Sequence, residues 1–200
     1  MAAVKDGCRF CKLYATALVA IAAFLGVLQA VQFSVGLREF GGLEHVWRVV
    51  MLSAARSHAP AANGSALLLA FLLWSYRLPP PTLLLELPSQ LKRGMLLSLL
   101  GYPAALLLLL LTSLPVATLF FGAPLSAFSS ALSSLGPGDF AVGYVSTLVD
   151  ALVIVLVSWR ALPALHQSKL SLPAKIGVAW AVLFVIRSLV GLALPGGPRP

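Results

Sequence analysis

Two ionisable side chains stand in stretches otherwise free of charge: Asp150 within 140–159 and Arg187 within 176–194. An ionisable group in hydrocarbon is costly, so it faces a partner or a wet cavity, and in working sites it serves as counter-ion or proton relay. Asp150 lies ten residues before Arg160, and Arg187 twelve after Lys175. At about 1.5 Å of rise per residue, both then sit roughly 15–18 Å from the same membrane face. Adjacent antiparallel helices would bring them together as an intramembrane ion pair. Such a pair locks two helices, or it lines a ligand, ion or proton site, or each member meets a partner on another subunit; the sequence leaves all three open. Ser146, Thr147, Ser158 and Ser188 read as interhelical hydrogen-bonding groups.

Cys8 and Cys11 are the only cysteines. A C-x-x-C pair supplies two of the four ligands that zinc normally wants. His45, His58 and His166 are too scattered to complete the set. The pair sits just before an apolar run, where the readings are free thiols or S-acylation. Asn63-Gly64-Ser65 is a glycosylation sequon, but it abuts an apolar segment, so poor access is expected. There is no P-loop, no G-x-G-x-x-G after a strand, no H-E-x-x-H and no G-x-S-x-G. The six carboxylates are scattered, with no pair on one helix face. The expectation is therefore a protein that is not an enzyme, without catalytic residues, metal or other cofactor.

The elements that must position these residues follow from composition. Of 200 residues, 60% are hydrophobic and 10% charged, against roughly 25% charged in an ordinary soluble domain. The apolar residues come in long runs, which excludes a soluble globular enzyme, a disordered tail and a disulfide scaffold. The fold class expected is all-α: a multi-pass transmembrane bundle of about five spans, with four or six as alternatives. A single integral membrane domain covers 1–200, with spans near 13–37, 65–77, 94–122, 140–159 and 176–194. The first reads as a retained signal-anchor, being longer than a cleaved leader's apolar core. Gln29 and Gln32, three apart on it, should face another helix. Residues 43–57 make a weak amphipathic helix that would lie in the interface or begin a further span. Pro79, Pro80 and Pro81 forbid a continuing helix, and 82–93 reads as a linker. Pro103 and Pro115 would kink or divide the long third span. Residues 123–139 read as a Pro/Gly/Ser loop.

Fourteen Lys and Arg against six Asp and Glu give a net charge of +8. The cations are spread among short loops, which indicates topogenic charge and not a nucleic-acid surface. Five spans put Lys5, Arg9, Lys12, Arg77, Lys92, Arg93, Arg160, Lys169 and Lys175 on one side, against three arginines in 38–64, plus Arg199, on the other. The positive-inside rule then makes the N-terminus cytosolic. The expected partners are the lipid bilayer and other membrane protein subunits, with no nucleic acid, in an endomembrane or organellar membrane.

Three stretches resemble the tobamovirus multiplication protein family and the related receptor-like seven-helix membrane proteins. Leu28-Gln29-Ala30-Val31-Gln32, leading through Arg38 to Glu39-Phe40-Gly41, is similar to that family's first helix and its exit. Leu85-Glu86-Leu87-Pro88 looks like its Leu-Asp-Leu-Pro element. Trp159-Arg160 and the basic loop to Phe184-Val185-Ile186-Arg187-Ser188 resemble its Phe-Leu-Ile-Arg-Cys helix. About two-thirds of the chain is covered, by short apolar motifs. The chain departs from the family in being shorter, and the family topology places the N-terminus on the opposite side. The resemblance implies an endomembrane, receptor-like scaffold that binds proteins without catalysis. The residues by themselves lead to a scaffold or accessory subunit of a membrane complex; the alternative is a small transporter or channel-like protein using Asp150 and Arg187.

Overall fold

The computed structural model describes residues 2–39, 42–76 and 78–193; the side chains of 2–8, 44, 80, 166, 183, 184 and 186–193 lie outside that description. Among the described residues the chain is all-helical. The helices are α1 (Ala2–Glu39), α2 (Val46–Ser53), α3 (Ala59–Tyr76), α4 (Pro80–Pro115), α5 (Ser126–Ser133), α6 (Pro137–Gln167) and α7 (Leu172–Ala193). A 3-10 turn at Leu43–His45 precedes α2, and π turns at Ala54–His58 and Val116–Phe120 follow α2 and α4.

Three stretches are long and apolar enough to cross a membrane: Arg9–Glu39, Pro81–Phe120 and Pro137–Leu165; Leu172–Val182 is a shorter apolar helix. A hydrocarbon core of about 30 Å needs roughly 20 helical residues, so each of the three has turns to spare.

The second segment has helical backbone well before residue 65. Within 43–57 the apolar side chains turn inward, while His45, Arg48, Arg56 and Ser57 are exposed. Val46, Trp47, Val50, Met51, Ala54 and Ala55 are fully buried. The π turn carries α2 into α3 without leaving helical backbone at Ser53, Ala54 or Ala59, so 46–76 is one rod through the middle of the bundle. The physical reason lies in its side chains. Ala59, Ala62, Gly64, Ala66 and Ala70 are small and buried, and small residues let neighbouring backbones close in from all sides. Of the basic residues on the rod, Arg48 and Arg56 are exposed and His58 is half-buried.

The prolines act as starts more than stops. Pro79 is extended, with φ −65° and ψ 147°, and ends the α3 exit. Pro80 then opens α4, where a missing N–H costs nothing and φ is already helical. Helix therefore covers 82–93, which the sequence suggests is a linker. Pro88 and Pro103 sit inside α4 without dividing it. The chain leaves only after Pro115, through the second π turn, to Gly122 at φ +73°. That left-handed backbone is open to glycine and strained for other residues. The 123–139 loop contains α5, and α6 runs to Gln167 into the stretch read as a basic loop.

Contacts fix the directions. Phe10 packs on Phe71 and Trp74, whereas Gln29 reaches Val50, so α1 runs against the α2–α3 rod. Tyr14 reaches Leu97 and Ser113 reaches Gly26, so α1 and α4 run together. Arg56 meets Asp139, and further along Gly64 faces Asp150 and Ile154, so the rod and α6 run together, against the other two. One hydrophobic core joins α1, α3, α4 and α6; a second, around Trp47, Met51 and Phe128, packs α5 beneath α2.

Candidate functional site

One face of α6 collects the unusual residues. Asp139, Gly143, Thr147, Asp150, Ala151, Ile154, Ser158 and Leu162 are all buried, at the three- and four-residue spacing of a single helical stripe. This stripe lies along the α2–α3 rod. Its start is capped: the Asp139 carboxylate accepts the Gly136 N–H at 2.9 Å, the acidic half of a capping box, Gly136 having no side chain to supply the other half. The same carboxylate takes Arg56 from the π turn, with Nε at 2.9 Å and Nη2 closer still. One turn on, Gly143 lets α6 approach the rod and α4. A Cβ there would fall on the Tyr102 hydroxyl and the Ala55 carbonyl oxygen, which are themselves joined by a 3.0 Å hydrogen bond.

Asp150 comes next along the stripe. It is 7% exposed and faces Gly64 of α3, where a Cβ would lie 3.5 Å from the Asp150 Cβ. Arg187 lies on α7, but its side chain is outside the described residues, as is that of Cys8. Cys11 is a half-buried free thiol on α1. Among the described residues no three His, Cys, Asp or Glu side chains group to hold a metal. Thr147 Oγ1 and Ser158 Oγ, buried above and below Asp150, have no hydrogen-bond partner among the described residues. The bonding expected of these two hydroxyls is thus not made there.

Asn63 has a different role from the one its sequon suggests. It is 1% exposed and inside α3. Its carboxamide oxygen accepts from Tyr14, and its Nδ2 donates to the Ser98 carbonyl at 2.9 Å. A side chain so enclosed by α1 and α4 has no room for a glycan. A second node lies toward the other end: Gln29 Nε2 donates to Val50 O and Ser113 Oγ at 3.3 Å each, and Ser113 donates to Gly26 O at 2.9 Å. Gln29 thus faces the rod as the sequence suggests, while Gln32 is exposed. Tyr14, Ser98, Tyr102, Arg56 and Asp139 carry much of this polar structure and were not marked out by sequence. Their partners stand 35 to 83 residues away, and only the depth of Tyr14 and Tyr102 within apolar runs hints that their hydroxyls need acceptors.

Beyond Ser158 the stripe opens into a cleft between α3, α6 and α7 of about 260 Å³. Its walls are Leu, Val and Ala apart from Ser158. Compared with protein-family models, curated proteins and solved structures, the chain gives no match.

Proposed function

We propose that this is a non-catalytic multi-pass membrane protein, a scaffold or accessory subunit of a membrane complex. In this reading α7 and the α2–α3 rod cross the bilayer with the three longer helices, making five spans. The N-terminus is cytosolic, in an endomembrane or organellar membrane. The observation that carries it is how the interior polar groups are spent. Tyr14, Asn63, Gln29, Ser113 and Tyr102 bond across helices to one another or to backbone carbonyls, which fixes helix packing. The family resemblance leads the same way, toward a receptor-like scaffold. Purification of the full chain in mild detergent tests it: stoichiometric membrane partners are expected. A chain that stays alone, and that also cross-links to nothing in native membranes, overturns it.

A second reading, a small transporter or channel-like protein, is favoured by the stripe of Thr147, Asp150 and Ser158 along one buried face. It requires flux in proteoliposomes that Asp150→Asn abolishes.

A further inference from the structure

Four cations gather where α1 runs beside α4. Arg9 is half-buried; Lys12, Lys92 and Arg93 are exposed. The Tyr14 hydroxyl reaches the Leu97 carbonyl oxygen at 3.2 Å, across 83 positions of sequence. Carried along the two parallel helices, that offset sets Arg9 level with Lys92, and Lys12 level with Met95, two residues below Arg93. All four therefore fall within one turn, about 5 Å. Among the described residues none of them meets a carboxylate, whereas Arg56 at the opposite end is answered by Asp139.

Register also gives the depth of the cluster. A Cβ on Gly94 would strike the Phe71 ring, and Tyr102 packs on Tyr144 with ring centroids 4.5 Å apart. Both partner helices run against α4, so Arg93 stands level with Leu72 of α3 and Val153 of α6. On those helices the exposed aromatic and basic rim is Tyr76, Trp159 and Arg160. It lies four to seven residues further out, about 6–10 Å. The rim is thus stepped: on the α1–α4 side the charges begin one to two turns deeper. Just below them on α4, Met95, Leu96, Leu99 and Leu100 are exposed. We propose that this face binds an anionic phospholipid, its phosphate among the four cations and its acyl chains along Met95–Leu100. Cations above bare apolar side chains match an amphiphile, an acidic head on a hydrocarbon tail. A soluble anion or an acidic protein would meet the charges and leave the leucines uncovered. A cation beside an anionic leaflet favours the acidic lipid about fivefold, and here four share one level with no carboxylate to compete. The proposal rests on the membrane-spanning part of the proposed function; it needs neither the scaffold role nor a particular compartment.

The test is site-specific quenching in proteoliposomes. The full chain, with Cys8→Ser and Cys11→Ser, carries a bimane label at Met95→Cys or, as a reference, at Leu156→Cys, which is exposed on α6. Phosphatidylcholine vesicles are doped with brominated phosphatidylglycerol or brominated phosphatidylcholine. At Met95 the acidic lipid is expected to quench with a relative binding constant about fivefold or more above phosphatidylcholine, against near parity at Leu156. Lys92→Gln with Arg93→Gln should bring the Met95 preference down to the Leu156 value. Lys169→Gln, which removes an equally exposed cation outside the cluster, should leave it unchanged, as should excess inorganic phosphate. Equal quenching by the two lipids at Met95, with Leu156 also quenched, overturns the proposal and leaves the membrane reading standing. So does a preference that survives the double variant, or one lost equally with Lys169→Gln, which would report net charge alone. Competition by inorganic phosphate would replace the lipid with a soluble anion and overturn it too. No quenching at either position by either lipid would put the chain outside the bilayer and remove both readings together.

Discussion

The Tyr14 hydroxyl donates to the Asn63 carboxamide oxygen, tying the first helix to the central rod. From the other side of the same amide, Nδ2 holds the Ser98 carbonyl of α4. One polar side chain thus clamps three helices, and a Cβ on Gly101 would strike both Tyr14 and Asn63. Tyr14→Phe and Asn63→Ala should each lower the thermal transition, and a double-mutant cycle should show coupling of about 0.6–1.7 kcal/mol. Additive effects would mean that the two side chains do not share a bond. The same clamp predicts that Asn63→Gln leaves gel mobility unchanged in a glycosylating host.

At Gly143, α6 lies against the Ala55 carbonyl of the rod and the Tyr102 side chain of α4. Gly143→Val should force Tyr102 off the Ala55 carbonyl and cost about 1–3 kcal/mol through overpacking. Gly177, around which there is open space, is the control: Gly177→Ala should be neutral or slightly stabilising, as alanine is the better helix former. Chemical-denaturant titration in mixed micelles compares the two, and an equal loss at both positions would refute the close-approach account.

Arg56 and Asp139 are paired at the rim, with the Arg56 side chain 54% exposed and Asp139 11%. That exposure lets water screen the pair and keeps its worth small. Asp139→Asn should cost somewhat more than Arg56→Gln, because Asp139 also caps α6 through Gly136. Stability differences should shrink in high salt for the pair and persist for the cap. A salt-independent loss at Arg56 would show that the ion pair contributes nothing.

Helix content, and helices long and apolar enough to cross a membrane, were legible in the residues because long apolar runs allow little else. Asp150 was legible too, since a lone carboxylate in such a run must turn inward, and it does. The rod at 46–76 was not. Its basic residues interrupt the apolar run, yet Arg56 reaches outward to Asp139 and His58 bonds Ser53, so one helix is both buried and charge-bearing. The π turn that rotates its faces has no sequence signature. At Asn63 the apolar neighbours already argued for poor access to the sequon, but its bonds to α1 and α4 could not be read, because they depend on what packs against the helix. The cleft at Ser158 was invisible because it is a property of three helices at once.

Orientation can be read at two loops. Ser133 ends α5, and Ser168 follows α6, so one α6 length separates them. With the 160–175 cations on the cytosolic side, Ser168→Cys in a background without Cys8 and Cys11 should react only with reagents that reach the cytosol. Ser133→Cys should react only from the other side. Labelling of both from one side would remove the crossing by α6.

The last prediction concerns Asp150 and Arg187. Helices α6 and α7 are joined by four residues, 168–171, so they run antiparallel. Leu165 and Lys175 line one hollow, and Ser158 and Val182 another. Extending that register sets the backbone of Arg187 level with residue 153, less than one turn from Asp150. Asp150 is buried against Gly64, where an ionised carboxylate needs a nearby cation or water to persist. We expect the two to interact, directly or through one water. Either single change, Asp150→Asn or Arg187→Gln, leaves one charge behind and should cost about 3–5 kcal/mol in a dry site, less if water enters. The double variant should recover part of that loss. Unfolding of all four proteins in the same micelle reads the outcome. A double variant no more stable than the worse single would end the pairing and direct the search to partners on another subunit. Recovery confined to the dry-site magnitude favours a structural lock over a wet pathway, because a hydrated cavity would screen both charges and flatten the whole cycle.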